Sequence, residues 1–193
     1  MSHHRIILAS SSSYRQVLLA QLGLEFETQT PDIDETPFEH ETAALLVARL
    51  AENKAKRVAQ DNKDAIVIGS DQVCSIDGEI LGKPGSTDKA IEQLSRLSGR
   101  KVRFETGLCL IWKQRQQLIV ESFDVYFRTL SVEQIHRYIT QEMPLDCAGS
   151  FKSEGLGIVL FHKFDGRDPN TLIGLPLMAL TDMLANWNIK LPL

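Results

Sequence analysis

The sequence lacks the apolar runs and cysteine patterns that mark several classes of protein. No apolar run approaches the ~18 residues of a membrane span, and the N-terminal MSHHRIILAS has too few apolar residues after its basic stretch for a signal peptide. The three cysteines (Cys74, Cys109 and Cys147) are scattered without CxxC spacing, which argues against a disulfide framework or a zinc site. His3-His4 is only weak evidence for a metal. We therefore expect a cytoplasmic protein with no membrane partner.

A surplus of basic residues is also missing. The chain has 21 Lys and Arg against 25 Asp and Glu, a formal net charge of −4, so we expect no broad basic face for a nucleic-acid polymer. An anionic ligand would have to be small and held by a local cluster of cations, accompanied by a metal ion. The length of 193 residues and the 43% hydrophobic content are typical of one globular domain, here predicted over residues 1–193.

Strands and helices alternate in the hydrophobic pattern, with at least one hairpin. The predicted strands are Arg5–Ala9, Phe26–Gln29, Ile66–Ile68, Val102–Trp112, Leu118–Phe127 and Ile158–Phe161. The predicted helices are Tyr14–Leu22, Glu41–Asn62, Ser86–Ser98, Ser131–Glu142 and Leu175–Trp187. This order favours an α/β fold with a mixed sheet flanked by helices.

Four polar segments adjoin these elements: Ser10–Arg15, Asp32–Thr36, Ser70–Lys83 and Gly149–Glu154. The first precedes a helix N-terminus, where anions bind well and where Arg15 is unfavourable without a compensating anion. A glycine after Ile66–Ile68 would let the chain turn and place Asp71 at a strand end. Taken singly, Asp71 and Lys83 are better explained as charged residues exposed to solvent at the surface. Together the segments supply hydroxyls, carboxylates and cations, which suits metal-assisted hydrolysis of a phosphoanhydride.

The same residues form a series of motifs in a fixed order. They are ILASSSSYR at the start, DIDET at 32–36, Arg49-Leu50-Ala51, Lys54-Ala55, IGSDQV, GKP, Thr106-Gly107-Leu108, Ala148-Gly149 and Gly174-Leu175-Pro176-Leu177. In these motifs the chain resembles the Maf family of nucleoside triphosphate pyrophosphatases over nearly its whole length. The resemblance implies an elongated, two-lobed α/β fold shared with inosine-triphosphate pyrophosphatases, with the active site in the cleft between lobes. A homodimer is left open.

The resemblance also implies the reaction and its residues. The enzyme would cleave a nucleoside triphosphate between the α- and β-phosphates with a divalent cation, Mg²⁺ or Mn²⁺. Asp71 matches the proton acceptor, and Glu35 is expected to hold the metal together with Asp71. The residues expected to bind phosphate are Ser10, Arg15, Lys54 and Lys83, with Lys152 as a further cation.

Two later stretches, AGSFKSEG and GRDPNTLIGLPL, are similar to the branch of the family associated with 7-methyl-GTP. Tyr14, Gln72 and Glu154 stand where members acting on pyrimidine triphosphates have arginine, threonine and glutamine. An aromatic face at Tyr14 suits a cationic methylated base, and a carboxylate at Glu154 suits the N–H groups of guanine. Alternatively, Tyr14 packs on its helix and Glu154 is a salt-bridge partner. Tyrosine at position 14 departs from the tryptophan expected in this branch.

We therefore expect hydrolysis of 7-methyl-GTP to 7-methyl-GMP and pyrophosphate, which would remove a modified nucleotide. Two alternatives remain open. One is a pyrophosphatase for dTTP or UTP, and the other is a nucleotide-binding regulator of cell division. The regulator would have no need of a base such as Asp71 beside the phosphates.

Overall fold

The computed structural model describes residues 4–191, so His3 lies outside the described residues. Within this range there are seven strands and six α-helices. The strands are β1 (Ile6–Leu8), β2 (Glu27–Thr28), β3 (Ile66–Ile76), β4 (Glu79–Leu81), β5 (Lys101–Trp112), β6 (Arg115–Phe127) and β7 (Phe161–Asp165). The helices are α1 (Ser13–Ala20), α2 (Ala43–Asp61), α3 (Thr87–Leu97), α4 (Val132–Glu142), α5 (Asn170–Ile173) and α6 (Leu177–Ala185).

The strands form a mixed sheet in the order β2-β1-β3-β5-β6-β7, with β4 paired to β3. Strand β1 is parallel to both neighbours, with Ile7 opposite Glu27 and Val67. Strand β4 runs antiparallel to β3, and β7 antiparallel to β6. The predicted mixed α/β architecture is therefore confirmed. None of the helices between residues 4 and 191 is long and apolar enough to cross a membrane.

Two predictions about strands are wrong. The chain does not turn at Gly69, because β3 continues from Ile66 to Ile76 and Asp71 lies in its middle. The predicted strand Ile158–Phe161 is instead a 3₁₀ turn over Leu156–Leu160, and the strand follows at Phe161–Asp165. The second error has a local cause, since Gly157 lies so close to the carbonyl of Lys152 that a Cβ would overlap with it. Because the chain folds back on itself at Gly157, the residues that follow do not continue as an extended strand until Phe161.

Contacts divide the chain into two compact units. The first comprises Met1–Gln72, Thr106–Glu121 and Asp168–Leu193, and the second Val73–Glu105 and Ser122–Arg167. Within the first unit, alternate residues of β1 and β3 point to opposite faces. One face packs Leu8 and Ile68 against Leu18 of α1 and Leu180 of α6. The other packs its side chains against α2.

The second unit has an aromatic core. Phe151 makes edge-to-face contacts with three neighbouring rings, those of Phe104, Phe127 and Phe161, at centroid distances of 5.4, 5.6 and 4.8 Å. Helix α4 begins with a capping box of Ser131 and Gln134. The single domain over residues 1–193 stays a prediction, as does the active site in a cleft.

Candidate active site

Two glycines bring α2 against the strands of the first unit. A Cβ on Gly69 of β3 would overlap with the carbonyl oxygen of Ala51, and one on Gly107 of β5 with that of Val47. Neither glycine has a positive φ, so their role here is close backbone approach and not turning. This approach carries Lys54 of α2 to Asp71 of β3.

Lys54 lies between two carboxylates. Its Nζ is 2.6 Å from Asp71 Oδ1 and 2.8 Å from Glu35 Oε1. The side chains of Lys54 and Asp71 are only 7% and 9% exposed, whereas that of Glu35 is 56% exposed. Because removing a charge from water is unfavourable without a partner, the pairing is what makes burial of Lys54 and Asp71 tolerable. The structure thus brings together three of the predicted site residues.

Arg15 adds a second cation to this group. Its Nε donates to the carbonyl of Gly174 at 2.8 Å, and its backbone N–H donates to the cap residue Ser12. Burial lowers the pKa of the Arg15 guanidinium, while the charges of Asp71 and Glu35 act in the opposite direction. The negative charge that a cation needs in the first turn of a helix is therefore supplied by these carboxylates.

Ser10 and Tyr14 flank the start of α1. Ser10 is buried, and its Oγ accepts from the backbone N–H of Ser12 at 3.1 Å. Tyr14 is partly buried in the first turn of the helix. Both residues belong to the first unit, as do Arg15, Lys54 and Asp71. Their binding roles stay predictions.

The side-chain amide of Gln72 is held in one orientation. Its Nε2 donates to the carbonyl of Thr171 at 2.6 Å and to Thr106 Oγ1 at 3.2 Å. A carbonyl oxygen can only accept, so the nitrogen of the amide must face Thr171. The Thr106 hydroxyl donates its own proton to the same carbonyl at 2.9 Å, so towards Gln72 it acts as an acceptor. The Oε1 of Gln72 is left as an acceptor, and no residue between 4 and 191 donates to it.

The segment that supplies these carbonyls is fixed by Asp168. This buried carboxylate accepts from the backbone N–H of Asn170 at 2.9 Å and of Met178 at 2.8 Å. Between those points lie Thr171 and Gly174, whose carbonyls hold Gln72 and Arg15. Sequence reasoning missed this positioning role, although the GRDPN and Gly174 motifs marked the segment.

The loop that contains Asp32–Thr36 is anchored to α2 by Arg49. Sequence reasoning also missed Arg49 as a site residue. Its guanidinium donates to both oxygens of Glu41 at 2.6 Å, to the carbonyl of Thr36 at 3.1 Å, and lies 3.9 Å from the centre of the Phe38 ring. These hydrogen bonds lower the pKa of Glu41 to about 2. The loop residue Glu35 is thereby held on the side of α2 that carries Lys54.

The other three predicted residues belong to the second unit. Lys83 is exposed, and Glu154 is exposed with a 3.3 Å hydrogen bond from Ser153 Oγ. Lys152 Nζ donates to the carbonyl of Glu142 at 3.3 Å, at the C-terminal end of α4 where a cation is favoured. Within the described part of the chain, no hydrogen bond or ion pair joins these three residues to one another.

None of the three cysteines forms a disulfide. Burial raises the pKa of Cys109 to about 12 and that of Cys74 still further. Neither thiol is therefore a nucleophile at neutral pH. Among residues 4–191, no three His, Cys, Asp or Glu side chains form a cluster that could hold a metal ion by themselves.

Comparison with known proteins identifies relatives over the whole length. A profile of the Maf family, described as Maf-like protein, matches residues 5–187. The 7-methyl-GTP pyrophosphatase of Alcanivorax borkumensis is 54% identical over 190 residues, covering 97% of this chain and 96% of the relative. Those of Pseudoalteromonas atlantica and Vibrio cholerae are 56% and 53% identical, covering 96% and 98% of this chain and 96% and 99% of theirs.

Solved structures with the same fold are more distant in sequence. The Ham1 protein of Staphylococcus aureus is 15% identical with a TM-score of 0.55, covering 94% of this chain and 98% of that one. The HAM1 protein of Coxiella burnetii is 16% identical with a TM-score of 0.53, covering 95% and 99%. At such identities the likeness shows the fold alone, and it agrees with the open mixed sheet seen here.

Proposed function

The chain belongs to the Maf family, and from that premise we propose that it hydrolyses 7-methyl-GTP to 7-methyl-GMP and pyrophosphate. One observation carries the proposal. A buried ammonium, Lys54, lies between two carboxylates in a chain that is more than half identical to proteins named for this activity. The dTTP or UTP pyrophosphatase and the cell-division regulator are not favoured by any contact in the structure.

Charge balance supports a phosphate ligand accompanied by a metal. In the first unit, Lys54 and Arg15 face the charges of Asp71 and Glu35, so the group is close to neutral before any ligand binds. A triphosphate would add several negative charges. Further cations are therefore needed, and Lys83 and Lys152 are the remaining predicted ones.

The two carboxylates fit a divalent cation. Both already contact one shared cationic atom, Lys54 Nζ, at 2.6 and 2.8 Å. Mg²⁺ is commonly bound by one or two carboxylates together with substrate phosphates, so a third protein ligand is not required. Glu35 and Asp71 would hold the ion. When bound, it would polarise the phosphoryl oxygens and offset their charge.

The chain's own residues would then act as follows. A water molecule gives up a proton to the Asp71 carboxylate as its oxygen forms a bond to the α-phosphorus. The bond between the α-phosphorus and the oxygen bridging to the β-phosphorus breaks, and pyrophosphate leaves with that electron pair. Arg15 and Lys54 offset the charge that develops.

We also propose that Gln72 contributes to selection of the base. Its amide presents only an oxygen, which accepts N–H groups such as those on the edge of guanine and repels a carbonyl in the same position. Tyr14 and Glu154 keep their proposed roles in stacking and in accepting guanine N–H groups. A site with a polar mismatch discriminates strongly against the wrong base.

Release of pyrophosphate across a panel of nucleotides tests the proposal. With Mg²⁺ or Mn²⁺ present, we expect the highest kcat/KM for 7-methyl-GTP among 7-methyl-GTP, GTP, UTP and dTTP. The Asp71→Asn variant serves as the control for contaminating activity. A preference for UTP or dTTP would refute the substrate, and nucleotide binding without turnover would refute the enzyme.

The remaining expectations are proposals of the same kind. We propose a cytoplasmic location, supported by three cysteines that form no disulfide. We propose no nucleic-acid polymer as a partner, supported by the formal net charge of −4. A homodimer stays open, and the mass of the protein in solution would decide it.

A further inference from the structure

A cavity of about 280 Å³ lies in the second unit, beside α4. Its lining includes Arg128, Arg137, Tyr138, Gln141, Leu156 and Val159. We call it the α4 cavity. Its volume is slightly below that of pockets that bind drug-sized molecules, so it suits a small ligand.

The two arginines of the α4 cavity have no carboxylate in an ion pair with them among residues 4–191. Neither Arg128 nor Arg137 forms a hydrogen bond or an ion pair through its side chain with any residue from 4 to 191. Glu133 interacts electrostatically with Arg137 without forming an ion pair, and its carboxylate accepts a hydrogen bond from Ser131 Oγ at 2.7 Å. By contrast, six arginines elsewhere are paired with carboxylates: Arg5, Arg49, Arg57, Arg96, Arg100 and Arg103.

Other groups in the wall complete a recognisable set of donors. Tyr138 is buried, and its hydroxyl oxygen accepts from the backbone N–H of Lys152 at 3.0 Å, which leaves its own proton to be donated. Thr129 and Gln141 also line the cavity and carry further donors. Leu156 and Val159 form an apolar part of the wall and are substantially exposed.

We propose that the α4 cavity binds a small phosphorylated compound or inorganic pyrophosphate through Arg128 and Arg137. Two guanidinium groups without a carboxylate partner match a dianion, and their planar donors suit phosphoryl oxygens. The apolar wall leaves room for a small organic group. This inference does not depend on the proposed activity, since none of its residues belongs to the proposed catalytic or substrate-binding set.

The α4 cavity borders the segment that contains Lys152 and Glu154. Tyr138 contacts the backbone of Lys152, and Leu156 lies two residues after Glu154. An occupant of the α4 cavity would change the surroundings of the Thr129 and Gln141 amides, since both residues line it. Neither residue belongs to the proposed substrate-binding set, so these amides report on the α4 cavity and not on phosphate bound near Lys152.

Titration of the full-length protein tests the site, with ¹H–¹⁵N amide shifts and calorimetry as readouts. The probes are inorganic pyrophosphate and phenyl phosphate. We expect shifts at Thr129 and Gln141 in the wild type, and binding weakened about tenfold or more by Arg128→Gln with Arg137→Gln, because two charge-assisted contacts are lost. The matched control is Arg96→Gln with Arg100→Gln, which removes the same charge from exposed, paired arginines of the same unit.

The outcomes separate clearly. Tighter binding of phenyl phosphate would assign the site to organic esters, and tighter binding of pyrophosphate to the inorganic anion, and both support the proposal. Unchanged shifts at Thr129 and Gln141 would overturn it. So would an equal loss of affinity in the control pair, because the effect would then be one of overall charge.

Discussion

Replacing Lys54 by methionine tests how the buried cluster is held together. The change keeps most of the apolar stem and removes the ammonium that pairs Asp71 at 2.6 Å. Asp71 is 9% exposed, so its carboxylate would remain buried without a partner. Breaking a buried pair in this way costs about 3–5 kcal/mol, a large part of the about 5–15 kcal/mol that stabilises a typical protein.

Removing the charge of Asp71 instead of that of Lys54 should lower the free energy of unfolding by a smaller amount. In Asp71→Asn the ammonium of Lys54 keeps its 2.8 Å contact with Glu35, which is 56% exposed and in contact with water. We expect a loss of about 1–3 kcal/mol, the range for a buried group that loses one partner. In the double variant both charges are gone, so the total loss should be smaller than the sum of the single losses by about 0.5–3 kcal/mol.

Urea unfolding of the wild type, the two single variants and the double variant measures these free energies of unfolding. Lys56→Met is the matched control, since Lys56 lies on the same helix with its side chain exposed and forms an i,i+4 pair with Glu52. Its loss should be about 0.5 kcal/mol or less. Equal losses in Lys54→Met and Lys56→Met, or strictly additive losses in the double variant, would refute the reasoning.

Three further predictions follow from the site. Asp71→Asn should reduce turnover by about 10²–10⁴-fold while the protein stays folded, measured by pyrophosphate release and circular dichroism, and near-wild-type rates would reject Asp71 as the base. Thr106→Val should remove one of the two hydrogen bonds that orient the Gln72 amide and lower the ratio of kcat/KM for 7-methyl-GTP to that for UTP, whereas Thr106→Ser should keep it, and an unchanged ratio in the valine variant would contradict the positioning role of Thr106. The pKa of Glu41 is lowered from 4.5 to about 2, so its pairing stabilises the fold above pH 4.5 and that contribution is lost as the pH falls toward 2. Glu41→Gln should therefore flatten acid unfolding in that interval, and an acid transition like that of the wild type would show that Glu41 contributes nothing to it.

Much of the fold could be predicted from local patterns. The predicted helices over 41–62, 86–98 and 131–142 are α2, α3 and α4. The glycine at position 69 was misread because the sequence alone does not distinguish a glycine that turns from one that allows close packing. Only the position of Ala51 on α2 shows which role it has.

The candidate site was predictable only in part. The series of motifs in the sequence marked Asp71, Lys54 and Glu35, and the structure brings these three residues together. The roles of the Thr171 and Gly174 carbonyls could not be seen in the sequence, because backbone carbonyls leave no signature in residue types. Arg49 was visible as part of a motif, yet its contact with Glu41 depends on the path of a loop without regular structure.

The central claim is that water attacks the α-phosphorus of 7-methyl-GTP and releases pyrophosphate. Hydrolysis in water enriched in ¹⁸O, followed by mass spectrometry of both products, tests it most directly. The account predicts one ¹⁸O atom in 7-methyl-GMP and none in pyrophosphate. Label in pyrophosphate, or release of orthophosphate, would contradict it.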